Sequence, residues 1–312
     1  MDIIRDLESL EKPFKNTILT IGNFDGVHKG HLKLFNKTIE RALVTEGLSA
    51  VMTFDPHPVK VMKPGNGPPL ITPIEQKLRL IQEAGIEVIF CLPFTPEFAS
   101  QEAQDFVKTI LVEKIGIKEL VVGYDYTFGH NRQGDTNLLQ EMGEEIGFRV
   151  HVVEPVYIEN TLVSSTSIRR YIQEGHLAKA KMLLGRNYQV SGTVVKGQNR
   201  GGRLLGFPTA NLQLVDELIP KGGVYAVTVA LNGETYFGVS NIGYNPTFGQ
   251  NALSIETHLL DFSGDLLGRI IKINFIMRLR DEKKFSGVEE LVAQIKLDIK
   301  QAKAIFEHRE SE

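Results

Sequence analysis

Apolar, β-branched runs alternate with stretches of helical spacing through the first half of the chain. TILTI (17–21), SAVMTF (49–54), EVIFCL (87–92), ELVVG (119–123) and FRVHVV (148–153) predict strands. LKLFNKTIERAL (32–43) and TNLLQEMGEEIG (136–147) predict helices between them. Thr72, Pro73 and Glu75 read as N-cap, first-turn proline and capping-box partner of another helix that ends at Gly85. Strands alternating with helices predict an α/β domain: a parallel, doubly wound sheet with helices on both faces. From Asn187 the texture changes to short strand patterns: YQVSGTVVK, GVYAVTVAL, TYFGVSNIG, LSIETHLLD and RIIKINFIM. Asn232-Gly233 separates two of these runs, a hairpin signal. Together they predict a small antiparallel β-barrel. Ser286, with Glu289 three residues on, predicts the start of a terminal helix running to about Glu307. The expected domains are residues 1–185 and 186–312.

Composition narrows the class without changing this picture. The chain has 312 residues, 42% hydrophobic and 23% charged, with a net charge of -3. Those values fit an ordinary globular protein of two domains and give no bulk charge for nucleic acid or membrane. A single cysteine, Cys91 in VIFCLPF, excludes an intrachain disulfide framework and fits a reducing cytoplasm. Cys91 reads as a small core residue. The opening MDIIRDLESLEKPFK lacks the apolar core of a signal peptide. No apolar run approaches the roughly 20 residues of a membrane helix.

Candidate chemistry lies where strands end. GNFDGVHKGH (22–31) follows the first strand and leads into a helix, so His28 and His31 fall at a helix start, one turn apart on one face. A helix N-terminus offers unpaired N–H groups and the positive end of the dipole, which suit phosphate oxygens. Imidazoles there can donate to phosphates as charge develops during nucleotidyl transfer. A zinc pair or two surface histidines would show the same spacing, but no nearby cysteine completes a zinc site. FDPHP (54–58), with Asp55 and His57 in a proline-fixed loop or a rigid turn only, and GYDYTFG (123–129), with Asp125 or a turn with aromatic packing, also lie at or past strand ends. In doubly wound sheets such loops share one crevice. VSSTSIRRYI (163–172) offers a second phosphate grip through Ser164, Thr166 and Arg169 at another helix start, or a plain hydroxyl cap with solvated arginines.

In the second half, LLGFPTANLQL (204–214) places Thr209 and Asn211 two apart, on one face of an extended strand. A hydroxyl and an amide oxygen so placed suit a magnesium ion that keeps nucleotide phosphates as its other ligands. KGQNRGGRLLG (196–206), with its glycines and the cations Lys196, Arg200 and Arg203, reads as a phosphate-wrapping loop or a flexible basic hairpin; it is not a Walker A sequence. In LSIETHLLD, Glu256 and His258 share the face opposite Ile255 and Thr257. Glu256 is a candidate acceptor of an alcohol proton in phosphoryl transfer, or a solvated strand residue.

The order G-x-F-D-G-x-H-x-G-H, F-D-P-H-P, G-x-D-[FY]-x-F-G, S-S-T-x-I-R resembles the adenylyltransferase module of prokaryotic bifunctional riboflavin kinase/FAD synthetases. G-F-P-T-A-N, G-V-Y-A (223–226), I-E-T-H-L-L-D and L-R-D-E-K-K-F (279–285) resemble the kinase module of the same family. The likeness covers about residues 15–305; Gly201 stands where many members carry arginine. It implies a Rossmann-like first domain and a six-stranded C-terminal barrel. It implies that riboflavin and ATP give FMN, and that FMN and ATP give FAD and pyrophosphate. His28 and His31 would stabilise the transferring phosphate. Gly22, Asn23, Asp25, His57, Asp125, Ser164, Thr166 and Arg169 would bind ATP or FMN. Thr209 and Asn211 would hold Mg2+ with ATP, Glu256 would be the base, and Lys196, Arg203, Gly206, Pro208 and Arg280 would surround ATP or flavin. The expected partners are these small molecules, with no nucleic acid or membrane, in a cytoplasmic monomer or weak homo-oligomer. Two rivals compete: a different small-molecule adenylyltransferase with an accessory barrel, and a non-catalytic flavin-binding protein.

Overall fold

The computed structural model describes residues 2–196, 206–213, 218–244 and 253–310. The chain divides into two compact units, Met1–Ser165 and Thr166–Glu312.

In the first unit, the strands are β1 (Asp2–Ile4), β2 (Thr17–Ile21), β3 (Leu48–Phe54), β4 (Val88–Leu92), β5 (Ile117–Gly123) and β6 (Arg149–Val153). They form one parallel sheet in the order β1-β4-β3-β2-β5-β6. Both faces of the central strands are buried, which is why they read as continuous apolar runs. Ala50, Met52, Phe90, Leu120 and Val122 pack one way, against Leu111, Ile115 and Leu139. Val51, Ile89 and Cys91 pack the other way, against Phe24, Phe35, Leu78 and Ile81. Cys91 is thus a core residue. The chain runs from β2 outward through β3 and β4, then returns to the other side of β2 as β5. That reversal is a topological switch point, where such sheets open a crevice beyond the strand ends.

The helices that frame this crevice are α1 (Lys29–Val44), α2 (Pro58–Met62) and α3 (Ile74–Glu83). The start of α3 differs from the sequence reading. Pro73 takes the N-cap position and no side chain caps the helix. Thr72 is drawn instead into tertiary bonds with the loop after β2, described below, which outcompete the local cap.

A buried ion cluster ties α1 to the sheet. Arg41 on α1 donates to both carboxylate oxygens of Glu119 on β5, at 2.7 and 2.8 Å, and His151 on β6 meets the same carboxylate at 2.7 Å. The Arg41 bonds, helped by His151, pull the Glu119 pKa down to about 2. A carboxyl group whose pKa is lower folded than unfolded stabilises the fold above its unfolded pKa and loses that contribution as pH falls toward the folded value. The contribution of this pair, on the order of 3 kcal/mol, should therefore vanish between about pH 4.5 and pH 2. Denaturant titrations across that range should show this loss, and Glu119→Gln should already be destabilised at neutral pH, because it strands the Arg41 charge.

In the second unit, β9 (Tyr188–Val195), β10 (Ala210–Gln213), β11 (Gly223–Leu231), β12 (Glu234–Tyr244), β13 (Leu253–Leu259) and β14 (Ile270–Arg280) close an antiparallel barrel in the order β10-β13-β12-β11-β14-β9. The strand labels β7 (Tyr157–Ile158) and β8 (Thr161–Leu162) belong to a small ribbon in the first unit. Asn232 and Gly233 turn β11 into β12 with φ of 53° and 88°, the left-handed pair a tight hairpin demands. Alternate residues fill the interior: Tyr225, Val227 and Val229 on β11, Ile271, Ile273 and Phe275 on β14. Three further helices are α4 (Thr136–Ile146) in the first unit, α5 (Ser165–Gln173), which begins at the last residue of that unit, and α6 (Leu177–Leu184) in the second. The terminal helix α7 (Val288–Glu310) lays Ala302 and Phe306 against Ala226, Leu260 and Ile276 on the outside of the barrel. Its capping differs by one residue from expectation: the Ser286 N–H and hydroxyl both donate to Glu290, not Glu289.

Candidate active sites

The loop after β2 is held from below. The Asp25 carboxylate is 3% exposed and accepts from the N–H of Ile71 at 3.0 Å and of Thr72 at 3.1 Å. The Thr72 hydroxyl accepts the Gly26 N–H at 3.1 Å, and the Ser165 hydroxyl donates to the Asp25 carbonyl at 2.8 Å. Asp25 therefore shapes the loop through internal bonds. Gly26 sits at φ 89°, and Phe24 and Val27 are also left-handed, at 48° and 38°. Left-handed non-glycine residues are costly and persist only where the surroundings enforce them.

The loop delivers His28 to the N-cap of α1. The His31 N–H donates to His28 Nδ1 at 3.3 Å, and the His28 N–H donates to His31 Nδ1 at 3.4 Å. This is a capping box built from imidazoles. The rings stack at 3.5 Å between centroids, and Phe24 meets the His31 ring edge-on at 5.2 Å. A Cβ on Gly30 would come within 3.1 Å of the His28 ring, so glycine makes room for it. The box fixes the tautomers. With each Nδ1 accepting a hydrogen bond, each ring proton resides on Nε2, the nitrogen that can donate to a phosphate oxygen.

His57 repeats the arrangement at the N-cap of α2, where its Nδ1 accepts the Val59 N–H at 3.2 Å. It follows β3, the neighbour of β2, and Gly22 and Asn23 directly follow β2 itself. Asp125 is exposed just past β5, beside Tyr126, whose partly buried ring stacks on Phe128 at 5.6 Å and whose phenol pKa is raised by desolvation. Ser164 immediately precedes α5, and Thr166 and Arg169 lie in that helix, in the second unit by contact division.

In the barrel, one cross-strand row gathers the predicted residues. Asn211 on β10 pairs with Glu256 on β13, Glu256 with Asn241 on β12, Asn241 with Val224 on β11, and Val224 with Arg280 on β14. Paired residues project to one face. Ile255 and Thr257 are buried while Glu256 and His258 are partly exposed, so that face is the outer one. The Asn211 Oδ1 is buried and accepts no hydrogen bond among the described residues. A buried acceptor of this kind calls for a donor or a cation, which fits a magnesium ion held jointly with Thr209. Thr209 is exposed at the end of a turn pinned by His258, whose Nδ1–H donates to the Pro208 carbonyl at 2.8 Å and whose ring meets Phe207 edge-on. Gly206 opens that turn at φ 76°, and Lys196 is exposed just past β9. Arg203 lies outside the described residues. Arg280 ties the row to α7: its Nε and Nη2 donate to Asp298 at 2.7–3.1 Å, and Gln294 donates to the same carboxylate at 2.9 Å. Asn241 escaped the sequence reading because it shares its face of TYFGVSNIG with Phe237 and Val239, so alternation alone does not mark that face as the outer one; burial of Ser240 and Ile242 does.

The comparisons with known proteins point the same way. The FAD synthetase family model matches residues 10–167, and the riboflavin kinase model matches residues 184–306. The chain is 38% identical over 308 residues to the bifunctional riboflavin kinase/FMN adenylyltransferase of Escherichia coli strain K12, covering 98% of both chains. It is 37% identical over 302 residues to that of Buchnera aphidicola from Acyrthosiphon pisum, covering 96% of both. Against that of Listeria monocytogenes it is 39% identical over 295 residues, covering 93% of both. A solved structure titled as a macrolide-efflux protein from Streptococcus pneumoniae superposes with a TM-score of 0.87 at 32% identity, covering 96% of this chain and 98% of that one. In the present chain no helix among the described residues is long and apolar enough to cross a membrane. With both family models matched in order and near full-length identity above 30%, the chain belongs to the bifunctional riboflavin kinase/FMN adenylyltransferase family.

Proposed function

We propose that the chain's two reactions are divided between two separately built sites. The enzyme phosphorylates riboflavin to FMN and adenylylates FMN to FAD. What carries the division is that the imidazole box of His28 and His31 lies in the sheet unit, whereas the Asn211–Glu256 row lies on the barrel. Residues 1–185 are assigned the adenylyl transfer and residues 186–312 the kinase step. The assignment keeps Ser164, Thr166 and Arg169 with the first function, supported by the Ser165 bond to Asp25 at the start of the same helix.

In the kinase step, Glu256 accepts the proton of the riboflavin 5′-hydroxyl as that oxygen attacks the γ-phosphorus of ATP. Asn241, beside it in the row, orients the hydroxyl or the carboxylate. Thr209 and Asn211 are the residues that would hold Mg2+ with ATP, and the ion would supply charge neutralisation on the phosphates. Lys196, Arg203, Gly206 and Pro208 frame the nucleotide, and Arg280, fixed by Asp298, borders the flavin side.

In the adenylyl transfer, a phosphate oxygen of FMN attacks the α-phosphorus of ATP and pyrophosphate leaves. No covalent enzyme intermediate is required, so positioning and charge stabilisation carry the chemistry. His28 and His31 donate from Nε2 to phosphate oxygens, and His57, with the same Nδ1 engagement, is a third donor of that kind. Gly22, Asn23, Asp125, Ser164, Thr166 and Arg169 bind nucleotide or FMN, while Asp25 holds the loop in shape. The enzyme is assigned to the cytoplasm as a monomer or weak homo-oligomer that acts on small molecules alone.

A time course with riboflavin and Mg-ATP, with flavins separated by chromatography, tests the scheme. FMN should rise first and then give way to FAD. FMN accumulating without FAD would assign the first unit to another acceptor. No flavin product from riboflavin or from added FMN would favour a binding protein.

A further inference from the structure

The loop that presents the imidazoles is anchored by a lysine that sequence patterns pass over. Lys77 lies in α3 within the charged run EQKLR, yet it is only 5% exposed. Its ammonium donates to the Asn23 carbonyl at 3.2 Å, the Thr53 hydroxyl at 3.0 Å and the Phe54 carbonyl at 3.1 Å. The Thr53 hydroxyl in turn donates to the same Asn23 carbonyl at 3.2 Å. Asn23 opens the loop that carries His28 and His31, and Phe54 ends β3, directly ahead of the loop that carries His57. One buried cation thus binds together the carboxyl ends of two adjacent strands at the point where both candidate histidine loops leave the sheet.

The three acceptors match the three N–H donors of an ammonium. An apolar side chain of the same length would take the ammonium from the Phe54 carbonyl and the Thr53 hydroxyl and leave the Asn23 carbonyl with the Thr53 hydroxyl alone, and the loops would lose their common anchor. Burial pushes the Lys77 pKa down, against the opposing pull of Cys91, Asp25 and Asp55. Asp25 is itself the residue that shapes the histidine loop, so the cation also faces the loop's own internal charge.

We propose that Lys77 is a positioning residue for adenylyl transfer: by clamping Asn23 to Phe54 it fixes where the His28 and His31 imidazoles meet the α-phosphate of ATP. The proposal rests on the phosphate role assigned to those histidines. Displacing a group by about 1 Å at a site that works by positioning costs on the order of 10²-fold in rate. Because the lost interaction is felt mainly in the transition state, kcat falls while KM changes little.

The test is steady-state FMN adenylylation by full-length Lys77→Met, which keeps the apolar stem, and by Thr53→Val, which keeps the ammonium and removes only the bridging hydroxyl. Each is assayed at a temperature where its thermal melt shows the protein folded. Lys77→Met should lose about 10²-fold in kcat, with KM for ATP and FMN nearly unchanged and riboflavin kinase activity intact. Thr53→Val should lose kcat in the same manner but less. A wild-type kcat in folded Lys77→Met overturns the proposal, as does a deficit that only tracks the unfolded fraction. Should Lys77→Met not fold, Thr53→Val decides: reduced kcat at unchanged KM supports the clamp, and wild-type kcat overturns it. The His28→Ala/His31→Ala variant is run alongside. If that variant retains FAD synthesis, the histidine assignment itself has failed; if it loses FAD synthesis while Lys77→Met does not, only the clamp has.

Discussion

Glu256→Gln is expected to stop FMN formation while leaving conversion of added FMN to FAD at the wild-type rate. The substitution preserves size and removes the ability to take a proton. Removing a positioned general base costs roughly 10² to 10⁴-fold. Glu256 sits between Asn211 and Asn241 in one cross-strand row, partly exposed on the outer face of the barrel, so it can reach a substrate hydroxyl. The interior neighbours Ile255 and Thr257 carry the packing, which the glutamine leaves untouched. A kinase rate at wild-type level in this variant would remove Glu256 from the role of base. A loss of both activities together would mean that the two sites are not independent.

His28→Ala combined with His31→Ala should do the reverse, abolishing FAD synthesis from FMN and sparing riboflavin phosphorylation. Losing one preorganised donor to a developing oxyanion typically costs about 10² to 10³-fold, so losing two neighbouring donors should put the rate near background. The variant also loses both side-chain acceptors of the α1 cap, worth about 1 kcal/mol or somewhat more. A modest fall in melting temperature is therefore expected alongside the catalytic loss, and it is too small to explain a rate near background. His28→Asn/His31→Asn separates the two effects. Asparagine restores an oxygen acceptor at the cap but does not reproduce the reach of Nε2, so stability should recover while activity does not. Unimpaired FAD synthesis by the alanine variant would sink the phosphate role.

Local rules placed much of this site before any tertiary contact was known. The i, i+3 spacing of His28 and His31 put both imidazoles on one turn at a helix start, because helical geometry is set by neighbours in sequence. The same holds for the alternation of Ile255, Glu256, Thr257 and His258 across a strand. The Nδ1-to-backbone exchange that fixes the tautomers is also local, but it depends on side-chain torsions that a sequence does not display. β1, three residues long and largely exposed, gave no periodic signal; only its pairing with β4 makes it a strand. The α3 start was misplaced by one residue because Thr72 had a better partner 46 residues away than its own helix.

By itself, then, the sequence determined the two-part architecture, the strand ends from which the candidate loops leave, and which residue types stand at the helix start and along the candidate strand. These follow from periodicity and turn chemistry acting over a few residues. The tertiary structure alone decided that the Asp25 carboxylate meets the N–H groups of Ile71 and Thr72, that Arg280 pairs with Asp298, that Asn241 joins the Glu256 row, and that Lys77 is buried against the strand ends that lead into both histidine loops. Each of those depends on which strands become neighbours and in what register, and that is settled by burial summed over the whole sheet or barrel.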